Sequence, residues 1–407
     1  MKEIFFLAGQ YMPKASANGI CTHAIAKALV DDGEKVTVIC NEDGFSMDTY
    51  EGVAIRRIPV PLYIKNANKR GIASIIRRMD SIIRKLIYLH HYPLRSNALV
   101  NEYAKAVISE VERKSTDQII VVSVVNPLEA AIAGAKLKKI YGSKCRAIYY
   151  CADTLSNEMG NEALLSNSYI SRMGFKWEKK LFSIFDKIMI MEPQKEHYYS
   201  EQYGEFKHKM VLANFPLLKR DNNAATTSNN EKCLLVYAGT IYKNLRNPTY
   251  LLGLLSGLTA VCDCEIVFLG GCDCKELFDK AEADSKGRIK YIGMQPYDVA
   301  QEYLRKANVL LSIGNKESHM APSKIYEYMS SGKPIIHTYT DDDDMCVPTL
   351  NQYGNALIIR EDSMKSNTVE QVKDFILNSN LVEYEVIRER FLLATPEYSA
   401  GIIMEKA

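Results

Sequence analysis

No apolar run in this 407-residue chain approaches the ~20 residues that a membrane span needs. Charge of one sign is scarce as an excess. The formal net charge is only +2, which argues against general nucleic-acid binding. The opening "MKEIFFLAGQYMPK" has a short apolar run followed by polar residues and no A-x-A-like site. It is expected to be a first buried strand and not a signal peptide. The ten cysteines are scattered, which points to a reducing cytoplasm. One cluster, "CDCEIVFLGGCDC", brings Cys262, Cys264, Cys272 and Cys274 close in sequence. The intervening "EIVFLG" reads as a buried strand, which at ~3.3 Å per residue would hold the two pairs too far apart for one zinc. Free thiols at the two strand ends are the expectation.

What is present is a globular composition, with 47% hydrophobic and 25% charged residues. The length exceeds one ordinary core, so two domains are expected. Apolar strand-like runs alternate with helix-length sequence. "EIFFLA", "KVTVIC", "QIIVVSVV", "AIYYC", "KIMIM" and "MVLANF" form a first series, with a hairpin-like excursion near "GVAIRRIPV". Residues 219–232, "KRDNNAATTSNNEK", are polar without an apolar period and read as a linker. The alternation then restarts with "LLVYAG", "EIVFLG", "IKYIG", "VLLSIG", "PIIHT" and "ALIIR". The pattern predicts an α/β protein of two doubly wound, mostly parallel sheets, over 1–218 and 233–396. A C-terminal helix near 397–407 is expected to pack back on the first domain. Ligands of such sheets bind beyond the C-terminal strand ends, expected here in a cleft between the domains.

Three stretches place chemistry at strand ends. "APSKIYEYMSSGKPII" reads as a short helix with Pro322 and Ser323 at its N-terminus, Ile325 and Met329 on a core face, and Gly332 as its stop. Free N–H groups at such a start suit an anion. "VYAGTIYKNLRNP" sets Gly239 and Thr240 after a strand, then Lys243 and Arg246, either as a phosphate loop or as solvated surface charge. In "LAGQYMPKASANGICTHAIAKALV", Gly19 at a helix start would let a ligand approach the backbone, or it belongs to a plain loop.

Taken together, these stretches resemble the retaining, nucleotide-sugar-dependent glycosyltransferases of family 4, with the GT-B fold. The resemblance covers nearly the whole chain. It rests on the first strand, Gly19 loop and "AIAKALVDDGEKVTVIC" order, and on "VLANFPLL" with Asn214 in a hinge-strand place. "YAGTIYKNLRNP" and, above all, "APSKIYEYMSSGKPII" complete it. The sub-branch with this last block often works on surface polysaccharides (capsule, lipopolysaccharide) and lipid-linked glycans.

The resemblance implies that Glu327 binds the ribose hydroxyls of the donor. The bland alternative is a helix Glu beside Lys324. It implies phosphate binding by Arg246, seven residues after Gly239, with Lys243 adding charge. Gly19, Gly239, Thr240, Pro322, Ser323 and Lys324 would line the donor. Two positions depart from the family. Thr240 stands where arginine is usual, and His319 stands where a first glutamate is usual, with Glu317 two residues away. Asp153, just past the strand "AIYYC", would take or orient the acceptor proton, or else cap a helix. Asn126 is a second acceptor-side candidate. Asp153, Arg246 and His319 thus form the expected catalytic set. No metal or other cofactor is implied, and no paired carboxylates of the glycosidase kind can be assigned. The expected activity moves a sugar from a nucleotide diphosphate to a glycan or polyprenyl-diphosphate-linked acceptor. A nucleotide-sugar epimerase and a non-catalytic binding paralogue are the rivals.

Residues 65–95 add a separate signal. Ile72, Ile75, Ile76, Met79, Ile82, Ile83 and Leu86 share one helical face, and eight Lys and Arg oppose the single Asp80, a balance of +7. This reads as an anionic-membrane surface helix, or as a core-packed helix with a basic rim. The chain is therefore expected in the cytoplasm, peripheral on the inner face of the membrane.

Overall fold

A computed structural model describes residues 2–13, 15–61, 91–156, 166–220, 232–316, 323–362 and 368–405. The chain divides into two compact units, residues 1–216 with 393–407, and residues 217–392. Most of the linker assigned to 219–232 and most of the basic segment 65–95 lie outside the described residues.

Among the described residues the first unit has eight strands: β1 (Lys2–Leu7), β2 (Val36–Asn41), β3 (Thr49–Tyr50), β4 (Val53–Ile58), β5 (Gln118–Val125), β6 (Cys145–Cys151), β7 (Lys187–Met191) and β8 (Met210–Ala213). Their order across the sheet is β3-β4-β2-β1-β5-β6-β7-β8. Every pair is parallel except β3 with β4, the hairpin foreseen near Val53. Parallel strands are covered on both faces, which is why their sequences are continuously apolar. The two-residue period sorts them. Phe5, Leu7, Val121 and Val125 enter one core, while Ile4, Phe6, Val122 and Val124 enter the other. Each such large side chain contributes ~1.5–3 kcal/mol on burial. The helix Pro396–Met404 joins the second of these cores through Ala400, Ile402 and Ile403.

The second unit holds β9 (Cys233–Ala238), β10 (Cys264–Leu269), β11 (Ile289–Gly293), β12 (Val309–Ile313), β13 (Ile335–Tyr339) and β14 (Ala356–Arg360). The sheet order β11-β10-β9-β12-β13-β14 is that of a dinucleotide-binding fold, third, second, first, fourth, fifth, sixth, and every pair is parallel. The order reverses between β9 and β12. Strands diverge there at their C-terminal ends, and that is where ligands of such sheets bind. In the first unit the reversal lies between β1 and β5.

The helix whose start was expected to suit an anion spans Lys324–Ser330. It stops as its sequence requires. Gly332 has φ +71°, in the left-handed region, and a Cβ there would collide with the Val382 carbonyl oxygen. Ile325 and Met329 are buried. The start differs from expectation, because Ser323 sits in helical geometry and makes no side-chain cap bond. A cap side chain needs extended backbone to reach back to the N–H groups, and Ser323 has already entered the turn.

Candidate functional site

In the second unit the C-terminal end of β9 is a gathering point. Lys324 Nζ donates to the Ala238 carbonyl at 2.9 Å. The Tyr328 hydroxyl receives the Ala238 N–H at 2.9 Å and faces the same carbonyl at 3.1 Å. The helix Lys324–Ser330 is thereby fastened to the last residue before Gly239 and Thr240. Arg246 then ties the two arms of the reversal together. Its Nη1 donates to the Thr240 carbonyl at 3.1 Å, and its Nε donates to Asn315 Oδ1 at 2.6 Å, just beyond β12. The Lys316 N–H donates to the Leu245 carbonyl at 2.8 Å and closes the same junction.

The charges follow from this packing. The Lys324 residue is solvent-exposed overall, yet its ammonium is drawn in among protein atoms. Desolvation holds its pKa below the usual lysine value, Glu327 opposes that shift, and the nearby Arg246 adds to it. Two cations that repel each other at one strand end are an arrangement an anion would relieve. Glu327 does not pair with Lys324 by a salt bridge. Instead Gln301 Nε2 donates to Glu327 Oε1 at 2.6 Å. Lys243 is exposed, with its N–H held by Asp273 Oδ1 at 2.8 Å. Gly239, Thr240, Arg246, Ser323, Lys324 and Glu327 are thus brought to one region. Pro322, His319 and Glu317 lie outside the described residues. Asn315 and Gln301 were missed from sequence. The first follows a strand directly and could have been found by the strand-end rule. Nothing in the sequence marks the second.

In the first unit Asp153 follows β6. Its Oδ2 accepts from Asn18 Nδ2 at 2.7 Å, and its N–H donates to the Val125 carbonyl at 3.2 Å. Burial pushes its carboxyl above the usual range, while bonds from Asn18 and from the Asn126 backbone pull the other way. Among the described residues, the helix that follows, Asn167–Phe182, is capped by Ser166 and not by Asp153. Asn126, at the end of β5, lies beside it, and Asn18 stands on the first turn of the helix Ala17–Asp31. The sequence reading passed over Asn18 in favour of its neighbour Gly19. At Gly19 the space a Cβ would take is filled by the Gln10 carbonyl oxygen. A glycine at this position therefore makes room for the chain's own loop, the plain-loop alternative. Asn214, in the hinge-strand place, donates from Nδ2 to Glu192 Oε2 at 2.9 Å.

The cysteines are all free thiols among the described residues. Cys272 and Cys274 lie 3.5 Å apart, Sγ to Sγ, beyond the far end of β10 from Cys262.

Residues 232–376 match the family described as "Glycosyl transferases group 1". The match lies within the second unit. No curated protein matches the chain significantly. Among solved structures, a glycosyltransferase from Rickettsia africae is 13% identical, covers 100% of this chain and 99% of its own, and superposes with a TM-score of 0.58. Anabaena Alr3699/HepE, in complex with UDP and glucose, is 12% identical over 99% of this chain and 96% of its own, with a TM-score of 0.54. WaaG, a glycosyltransferase involved in lipopolysaccharide biosynthesis, is 14% identical over 98% and 99%, with a TM-score of 0.52. At these identities the likeness is one of fold, that of the two-domain GT-B glycosyltransferases. No helix among the described residues is long and apolar enough to cross a membrane.

Proposed function

We propose that this chain is a retaining glycosyltransferase that moves a sugar from a nucleotide diphosphate to a glycan or lipid-linked acceptor in surface-polysaccharide biosynthesis. The observation that carries the reading is Arg246, spanning the strand-order reversal from Thr240 to Asn315 beside Lys324, within a group 1 domain. When the bond from the anomeric carbon to the diphosphate breaks, negative charge grows on the leaving phosphate oxygen. Arg246 and Lys324 would stabilise it, with Lys243 nearby and no metal required. Gln301 uses one acceptor site of Glu327 Oε1, and the ribose would be bound through the sites of the carboxylate that remain. On the acceptor side, Asp153, held by Asn18, would take the hydroxyl proton as the new glycosidic bond forms. The UDP and glucose bound by Anabaena HepE make UDP-glucose the first donor to try.

The deciding experiment incubates the protein with UDP-, GDP- and ADP-sugars, with and without a polyprenyl-diphosphate-linked glycan, and follows products by NMR. Transfer with an unchanged anomeric configuration supports the reading. Inverted product removes retention. Epimerised sugar, or nucleotide binding without turnover, sinks the transferase assignment.

A further inference from the structure

Behind the strand ends of the second unit lies a buried group that the proposed transfer does not use. His337 is on β13, and Asp344 and Cys346 close the loop that follows it into the helix Cys346–Tyr353. Their exposures are 0%, 5% and 1%, and the ring nitrogen, carboxylate oxygen and sulfur all lie within 4.8 Å of one another. His337 Nδ1 lies 3.0 Å from Ser312 Oγ, its partner in register on β12. Nε2 lies 3.4 Å from Asp344 Oδ1, and the tautomer with Nδ1–H donating to Ser312 would offer the Nε2 lone pair to a cation there. Nε2 makes no hydrogen bond and is sealed from solvent. One cation placed among them is within reach of all three donors.

Capping explains part of this. Asp344 Oδ1 accepts the Cys346 N–H at 2.7 Å and so serves the start of the helix. Beyond that cap, the His337 imidazole and the Cys346 thiol reach the same carboxylate, the thiol within hydrogen-bonding distance of it. We propose that His337, Asp344 and Cys346 bind one divalent metal ion of the zinc class. Mixed nitrogen, oxygen and sulfur donors suit zinc, whose bonds of ~2.0–2.3 Å place neighbouring ligand atoms about as far apart as Nε2 and Oδ1 are here. Ser312 is the outer partner that fixes the ring tautomer, as a ligating histidine requires. The metal pins the loop of residues 340–346 to the sheet. Asp344 Oδ2 packs against Gly314, next to the Asn315 that holds Arg246, so the site braces the phosphate-binding corner from behind. It takes no part in the reaction, because all three ligands are closed to solvent.

The test uses the full chain purified without added metal. One zinc per chain by elemental analysis is expected. After chelation and loading with Co2+, an intense thiolate-to-cobalt charge-transfer band in the near ultraviolet is expected, with one sulfur neighbour by X-ray absorption. Cys346→Ser should abolish the band and His337→Gln should lower metal retention at least tenfold. The Cys272→Ser/Cys274→Ser double variant should leave both unchanged. A folded wild-type chain that retains no zinc and gives no cobalt–sulfur signal overturns the proposal. So does a band that survives Cys346→Ser or vanishes with the Cys272/Cys274 pair. The wild-type absorption spectrum decides the matter even if the single variants fail to fold.

Discussion

Glu327 shows how one side chain's partner changes its expected role. Gln301 fills one of the acceptor sites on its carboxylate, and the ribose role proposed for it would use those that remain. Glu327→Ala should weaken nucleotide-sugar binding by ~1.5–3 kcal/mol, roughly 10- to 150-fold in Kd. Calorimetry giving an unchanged Kd in a folded variant would remove the ribose role. In the proposed reaction Arg246 would act on charge that appears only as the diphosphate departs. Arg246→Ala should therefore lower kcat/KM on the order of 10²-fold. Transfer at the wild-type rate would show the phosphate-binding corner to be misassigned. For Asp153 the pH dependence has a definite sign. A base must be ionised, so the rate falls as pH drops through its pKa, which burial sets above the ordinary carboxylate range. Asn18 stabilises the ionised form, and Asn18→Ala should move this acidic limb to higher pH, while Asp153→Asn should remove it. A limb that stays put in Asn18→Ala would separate Asp153 from the proton transfer.

At the scale of elements, the helix Lys324–Ser330 is short and poorly capped, yet it is fixed at several points. Lys324 and Tyr328 bond to Ala238, Ile325 and Met329 enter the core, and Gly332 ends it against Val382. Tertiary bonds hold it where propensity would not. The basic segment 65–95 is argued from its sequence alone, through its +7 balance and continuous apolar face. Each basic residue near an anionic surface contributes ~1 kcal/mol, and salt screens this within a Debye length. Neutralising Arg77, Arg78, Arg84 and Lys85 together should release the protein from acidic liposomes and leave transfer to a soluble acceptor intact. Equal, negligible pelleting of the unmodified protein with acidic and neutral liposomes would leave only the core-packed reading.

For the molecule as a whole, the residues proposed for the donor site belong to a single unit. Ala238, Thr240, Arg246, Gln301, Asn315, Lys324 and Glu327 all come from residues 217–392. A nucleotide that binds only the folded unit raises its stability by mass action, by ~2.7 kcal/mol at a hundred times Kd. UDP should therefore raise the unfolding temperature of the wild type. Glu327→Ala should reduce that rise at the same concentration. A rise that is the same in both would move the nucleotide elsewhere.

The amino-acid sequence by itself determined the fold class. Alternating apolar runs and helix-length segments have few packings other than doubly wound sheets, because parallel strands must be covered on both faces. It also marked the strand ends after Ala238 and Cys151, since chemistry-bearing residues cluster where such runs stop. Which residues meet there was decided only by the tertiary structure. Arg246 reaches Asn315 across 69 positions, Asn18 reaches Asp153 across 135, and Gln301 reaches Glu327 across 26. No local period encodes those pairs. They exist because the strand order reverses between β9 and β12, and between β1 and β5. That reversal brings together loops far apart in sequence, and it is settled by which apolar faces pack against one another.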